Sequence, residues 1–88
     1  MSTFRETIER LVGQIAEAVE KTAAGEQYIS SGPQWTIKSE HIGTKGTGRV
    51  IVTSSVVAYL DRLEANLKEA GFTVVFERNR IRLLVSRP

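Results

Sequence analysis

Hydrophobic and polar residues alternate along this chain with two different periods, and each change of period marks a new element. Between Thr3 and about Ala24, apolar residues recur every three or four positions, which is typical of an amphipathic helix. Their stripe consists of Phe4, Ile8, Leu11, Val12, Ile15 and Val19. Thr3 and Glu6 have the spacing of a capping box, and Gly25 is a suitable helix terminator. We therefore predict a first helix over these residues.

Gly13 lies in the middle of this helix, nearly opposite the apolar stripe. Glycine there costs on the order of 1 kcal/mol relative to alanine. Two explanations are open: a tolerated surface glycine, which we favour, or close packing against a helix of a partner subunit.

The helical period returns after Ser55, in the stretch around which we expect the fold to be organised. The second apolar stripe consists of Val56, Val57, Leu60, Leu63, Leu67 and Ala70. We expect the Ser55 hydroxyl to cap this helix. Gly71 can adopt the left-handed conformation that ends a helix, which lets Phe72 fold back on Leu67.

From Phe72 the period changes to two, which predicts a strand, and a second alternating run ends at Val85. The side chains predicted to face inward are Phe72, Val74, Phe76, Ile81, Leu83 and Val85. A turn at Arg78-Asn79 pairs Phe76 with Ile81, and a four-residue loop from Glu77 to Arg80 gives the same register. We therefore predict a hairpin after the second helix.

A second alternating pair of segments lies between the two helices. Gln34 to Ile42 alternates, a glycine-rich loop covers 43–48, and Arg49 to Thr53 is a β-branched run. A turn centred on Lys45-Gly46 pairs Ser39 with Val52, with Trp35, Ile37, Val50 and Val52 facing inward. The preceding segment, Glu26 to Gln34, is predicted to be a connector, although Tyr28-Ile29 can begin a short strand.

These elements predict one small domain over residues 1–88. Its fold class is α+β: a two-layer αββαββ sandwich, with a four-stranded antiparallel sheet and both helices packed on one face. The pattern leaves the strand order open.

Few residues suggest chemistry. The chain has no cysteine and one histidine, His41, so neither a thiolate site nor a set of metal ligands is recognisable. In the glycine loop Lys45 precedes Gly46 and a strand follows, unlike a P-loop, in which a helix follows. The carboxylates show no catalytic pairing. We predict a non-catalytic protein with no catalytic residues, no cofactor and no metal.

Two further expectations concern location. The N-terminus lacks the apolar region of a signal peptide, and no run of 18 apolar residues exists, so we expect no membrane segment. Together with the lack of cysteine, this indicates a cytoplasmic protein.

Charge is unevenly distributed along the chain. Residues 1–27 contain three Lys or Arg and five Asp or Glu, whereas residues 28–88 contain nine and five. The alternation predicts a basic and aliphatic outer sheet face: Thr36, Lys38, Glu40, Ile42, Arg49, Ile51, Thr53, Thr73, Val75, Glu77, Arg80, Arg82 and Leu84. Basic and aliphatic groups together are common at protein interfaces.

We therefore predict an interaction module that binds protein, as a homodimer, with an acidic protein partner, or both. The predicted partner-binding residues are Lys38, Arg49, Ile51, Val75, Arg80, Arg82 and Leu84. The alternative is nucleic-acid binding by the same basic sheet and its hairpin loops, which would be salt-dependent. In its small size and lack of motifs the chain resembles accessory proteins of phages or mobile elements.

Overall fold

Helix α1 (Phe4–Ala23) begins and ends at the predicted capping residues. The computed structural model describes residues 3–40 and 48–88. The Thr3 hydroxyl accepts the Glu6 backbone N–H at 3.1 Å, and the Glu6 carboxylate accepts the Thr3 N–H at 3.3 Å. Gly25 has a φ of 86°, and the next N–H, of Glu26, donates to Lys21 C=O at 2.9 Å. The predicted first helix and its capping box are confirmed.

Helix α2 (Val57–Glu69) ends as predicted but begins differently. The Phe72 N–H donates to Leu67 C=O at 3.1 Å after Gly71, whose φ is 100°. At the start, the predicted Ser55 cap is wrong. It is the hydroxyl of Ser54 that accepts the Val56 N–H, at 3.0 Å, while donating to Gln34 C=O at 2.6 Å. The first turn of α2 is thus tied to the residue before strand β2.

The sheet has five strands, so the predicted number of four is wrong, while the α+β class is confirmed. The strands are β1 (Ile29–Ser31), β2 (Trp35–Glu40), β3 (Arg49–Ser54), β4 (Thr73–Glu77) and β5 (Arg82–Ser86). All neighbours are antiparallel, in the order β1-β2-β3-β5-β4. The additional strand, β1, lies within the predicted connector and forms one edge of the sheet.

Both predicted hairpin registers are wrong by two residues. Ser39 pairs with Val50 rather than Val52, and Phe76 pairs with Leu83 rather than Ile81. The second shift arises because the turn occupies residues 78–81, rather than 78–79 or 77–80 as predicted. Ile81 is therefore exposed in the turn with a φ of 52°, instead of facing inward. A shift of two leaves the side chains of the described strand residues on their predicted faces.

Part of the first hairpin lies outside the described residues, namely 41–47. The predictions for His41, for Ile42 on the outer face, and for the turn at Lys45-Gly46 belong to that segment.

Both helices pack on the same face of the sheet, where the core lies. The buried apolar side chains that form it are Ile8, Leu11, Ile15, Ala18, Val19, Ile37, Val50, Val52, Leu60, Leu63, Leu67, Val74, Leu83 and Val85. Trp35, predicted to face inward, is half-buried at the margin of this core.

Two hydroxyls, one near the end of α1 and one on β2, form a buried polar contact beside this core. Thr22 Oγ1 and Ser39 Oγ lie 2.6 Å apart, and Ser39 Oγ accepts the Tyr28 N–H at 2.8 Å. Thr22 is 1% and Ser39 4% exposed. This network ties the segment before β1 to both α1 and β2.

Replacing Ser39 with alanine should lower the free energy of unfolding by about 1–3 kcal/mol, because the Tyr28 N–H and the Thr22 hydroxyl lose their shared partner inside the protein. Urea unfolding measures this change. Ser30→Ala is the control, since Ser30 Oγ bonds to Gln14 at a partly exposed site. Equal losses in the two variants would contradict the role given to Ser39.

Replacing Gly13 with alanine should raise the free energy of unfolding by up to about 1 kcal/mol. Gly13 is exposed, and a Cβ built there meets no atom within 4 Å. Gly71→Ala is the opposite control, because its positive φ disfavours any side chain. Thermal and urea unfolding compare the two. A destabilised Gly13→Ala would instead support close packing against a partner helix.

Candidate functional site

The outer face, the side of the sheet opposite the helices, carries a row of apolar side chains in cross-strand register. Ile29 pairs with Lys38, Lys38 with Ile51, Ile51 with Leu84, and Leu84 with Val75. We call these five residues, one from each strand, the apolar row, although Lys38 interrupts it. No element among residues 3–40 and 48–88 covers it. The alternation that buries the opposite side chains thus leaves four aliphatic groups aligned here.

The members of the apolar row differ in exposure. Ile29 is 65% and Val75 52% exposed, on the two edge strands, whereas Ile51 and Leu84 are half-buried between their neighbours. Lys38 is exposed. The row therefore offers a contact surface that is aliphatic along its length and has one cation within it.

A polar row lies beside the apolar row and balances its own charge. It runs through Ser31, Thr36, Thr53, Arg82 and Glu77. The Arg82 guanidinium donates to the Glu77 carboxylate of its cross-strand partner, and this hydrogen bond lowers the pKa of Glu77 below its ordinary value. On the other side of the apolar row, Arg49 Nε lies 2.5 Å from Glu40 Oε1, again across a strand pair.

Further arginines are also paired. Arg78 lies 3.4 Å from Asp61 of α2 and places its guanidinium 4.5 Å from the centre of the Phe76 ring. Arg87 donates to Glu20 at 2.8 Å, and this hydrogen bond lowers the pKa of Glu20. Five of the nine Lys and Arg residues in 28–88 thus lie in ion pairs among the described residues, and one of these pairs, Arg87 with Glu20, uses a carboxylate from the first 27 residues.

The structure brings together most of the predicted partner-binding residues. Lys38, Ile51, Val75 and Leu84 form the apolar row with Ile29, while Arg49 and Arg82 are on the same face in ion pairs. The predicted placement of Arg80 on a strand is wrong, because β5 begins at Arg82 and Arg80 is exposed in the preceding turn.

Sequence analysis missed Ile29. Its signal was present as an isolated branched residue after Tyr28, but a three-residue strand is too short to show a period of two.

Two grooves lie elsewhere on the surface. One, of about 570 Å³, runs between the helices and is lined by Phe4, Arg5, Ile8, Glu9, Arg62 and Asn66. At its end the Phe4 and Tyr59 rings stack with their centroids 5.2 Å apart. The other, of about 390 Å³, lies at the end of the sheet beside Trp35, Arg80 and Ile81. Neither groove brings together an acid, a base and a nucleophile.

Three further observations concern metal binding, membrane insertion and similarity to known proteins. Within the described ranges, no three His, Cys, Asp or Glu residues are grouped as metal ligands would be, and no helix has the length and apolar character needed to cross a membrane. No protein-family model, curated protein or solved structure matches the chain. The case for function therefore rests on the outer face.

Replacing Arg82 with glutamine should raise the pKa of Glu77 toward its ordinary value of 4.5. Because the folded-state pKa of Glu77 is the lower one, its stabilisation is present above the unfolded-state value and is lost as pH falls through the folded-state pKa. The wild type should thus lose stability more steeply than the variant as pH falls below 4.5. NMR titration of the carboxyl carbon measures the pKa.

Arg87→Gln is the matched control, because Arg87 pairs with Glu20 and not with Glu77. An unchanged Glu77 titration in Arg82→Gln would show that the ion pair does not persist in solution.

Proposed function

We propose that this chain is a non-catalytic interaction module that binds another protein through its outer face. The observation that carries the proposal is the apolar row, in which four aliphatic side chains and one lysine align across all five strands. Single exposed aliphatic residues are normal on protein surfaces and need no explanation. A contiguous row on a flat sheet is different, because such patches are typical of interaction sites.

The charges of the outer face favour an aliphatic partner surface with a carboxylate. Arg49 and Arg82 are already bonded to Glu40 and Glu77, so these four groups contribute no net charge. Lys38, within the apolar row, forms no ion pair with any residue that the structure describes. A carboxylate on the partner opposite Lys38 would therefore complement the single uncompensated cation of the row.

The same charges weaken the case for nucleic acid. Affinity for a phosphate backbone comes from cations that neutralise phosphates, and the arginines of this face would first have to leave their carboxylates. Single-strand binding also uses exposed aromatic rings as stacking platforms. Here Phe72 and Phe76 pack against the core on the helix side.

Replacing Leu84 with aspartate should weaken binding to the protein partner about tenfold or more, because truncating or charging a central apolar contact is costly. Lys38→Glu should weaken it too, by an amount that shrinks as salt is added, since the charge pair is exposed. The partner is first isolated by affinity capture, and its dissociation constant for each purified variant is then measured by calorimetry. Circular dichroism verifies that each variant is folded.

Val57→Asp is the matched control: Val57 is an aliphatic residue, 44% exposed, but on α2 in the other layer. Unchanged affinity in Leu84→Asp would contradict the proposal, as would equal losses in Leu84→Asp and Val57→Asp. In parallel, duplex DNA and RNA are tested by mobility shift at low and moderate salt. If DNA or RNA binds with a steep salt dependence and Lys38→Glu abolishes that binding, the outer face is a nucleic-acid interface rather than a protein interface.

A further inference from the structure

Strand β4 (Thr73–Glu77) is an edge strand with no strand partner on its outer side among the described residues. Natural edge strands usually carry a proline, a bulge, a lysine or a very short length, each of which prevents pairing with another chain. The opposite edge has two of these features, since β1 has three residues and Pro33 follows closely. β4 has five residues, four of them β-branched or aromatic, and its one charge, Glu77, is bonded to Arg82.

The hydrogen bonds of the sheet establish which backbone groups of β4 point outward. In an antiparallel strand, the N–H and C=O of one residue point to the same side, and successive residues alternate. The Ser39 N–H donates to Tyr28 C=O, and Trp35 C=O accepts the Gly32 N–H, so odd-numbered residues of β2 point toward β1.

Even-numbered residues of β2 therefore point toward β3. When the same alternation is followed across the paired residues of β3 and then β5, Val75 and Leu84 form a hydrogen-bonded pair. The Glu77 C=O accepts the Arg80 N–H across the turn, so it points toward β5, as this assignment requires. Val74 and Phe76 therefore present their N–H and C=O groups to the free edge.

We propose that a second copy of this chain binds at this edge, with the two β4 strands antiparallel about a two-fold axis through Val75. In this register Val74 lies opposite Phe76 of the partner subunit, and the reverse pairing follows by symmetry. Their free groups form four hydrogen bonds between the subunits, so every outward group of these two residues is used. A register centred on Val74 would leave Phe76 opposite Phe72, whose N–H is already bonded to Leu67.

Side chains support the same register. Val75 lies opposite its own copy in a non-hydrogen-bonded pair, where side chains approach most closely. The part of its exposed surface that faces the edge would be covered there by an identical branched group. Thr73 lies opposite Glu77 of the other subunit, so no two like charges face each other. The strand is thus complementary to itself.

Helix α2 is complementary to itself in the same sense. Asp61 contacts Arg78 at the end of β4, which places the Asp61 side of α2 toward this edge. Lys68 shares that side at helical spacing, and α2 runs antiparallel to β4. The two-fold axis therefore brings the Asp61 end of one helix beside the Lys68 end of the other. Within each subunit Asp61 is bonded to Arg78 and Lys68 to Glu64, so the two ends meet without unpaired like charges.

Disulfide trapping tests this register directly, because the chain has no native cysteine. Val75→Cys should form an intersubunit disulfide under mild oxidation, since the Cα atoms of a non-hydrogen-bonded antiparallel pair lie about 4.5 Å apart, within disulfide range. Thr73→Cys is the matched control on the same strand and face, and its two copies would lie about four residues apart along the strands, or roughly 13 Å. Val75→Cys should therefore cross-link at least about tenfold faster.

Light scattering during size-exclusion chromatography tests the dimer without cross-linking. The wild type and Val75→Thr should be dimers, whereas Val75→Lys should be a monomer because two like charges would oppose each other across the axis. Leu84→Asp, which should weaken partner binding at the outer face, should remain a dimer. These variants thus distinguish a failure of the edge dimer from a failure of partner binding at the outer face.

Four results would overturn the edge dimer. The first is a monomeric wild type at all accessible concentrations, and the second is equal cross-linking of the Val75 and Thr73 cysteine variants. The third is a dimer that Leu84→Asp dissociates and Val75→Lys does not, which would place the contact on the outer face. Growth of the wild type into long polymers would also contradict it, because pairing of β4 with β1 is open-ended.

Discussion

The fold depends on the burial of one face of the central strands β3 and β5. Val50, Val52, Leu83 and Val85 have no exposed surface, and they belong to neighbouring strands in direct register. On the opposite side of these strands Ile51 and Leu84 alternate with polar residues, whereas the Val50 side is apolar throughout, so both helices find their apolar complement on that one face. That arrangement leaves the outer face without a helix, and this asymmetry is what makes it the candidate site.

The sequence predicted which face of the sheet each side chain occupies better than it predicted which residues are neighbours on that face. A register error of one residue would have exposed the core, so the pattern excludes it, whereas an error of two changes no face. It does change which residues touch. In the predicted registers Lys38 would face Thr53 and Val75 would face Arg82, whereas in the structure they pair with Ile51 and Leu84. Four members of the apolar row were thus predictable, whereas Ile29 and the alignment of the row were not.

Helix ends set by local interactions were predicted, apart from the start of α2, and elements set by distant contacts were missed. The Thr3 capping box and the Gly71 terminus involve residues within five positions of each other. Strand β1, by contrast, is held by the Tyr28 N–H bond to Ser39, eleven positions away, and by α1 through Thr22. The adjacency of β3 and β5 likewise results from packing beneath the helices. Such contacts carry no signal in a window of a few residues.

The two proposed contacts use different surfaces, and their geometry makes them compatible. A two-fold axis through an edge pair is perpendicular to the sheet, so Val75 and its copy lie on the same side. Both outer faces of such a dimer would point in one direction, and neither would be covered by the other. A dimer formed face to face would instead bury the apolar row and make it inaccessible to another partner. An edge dimer therefore presents two identical faces to one partner, and linked sites of this kind gain avidity without new contacts when the partner also has two sites.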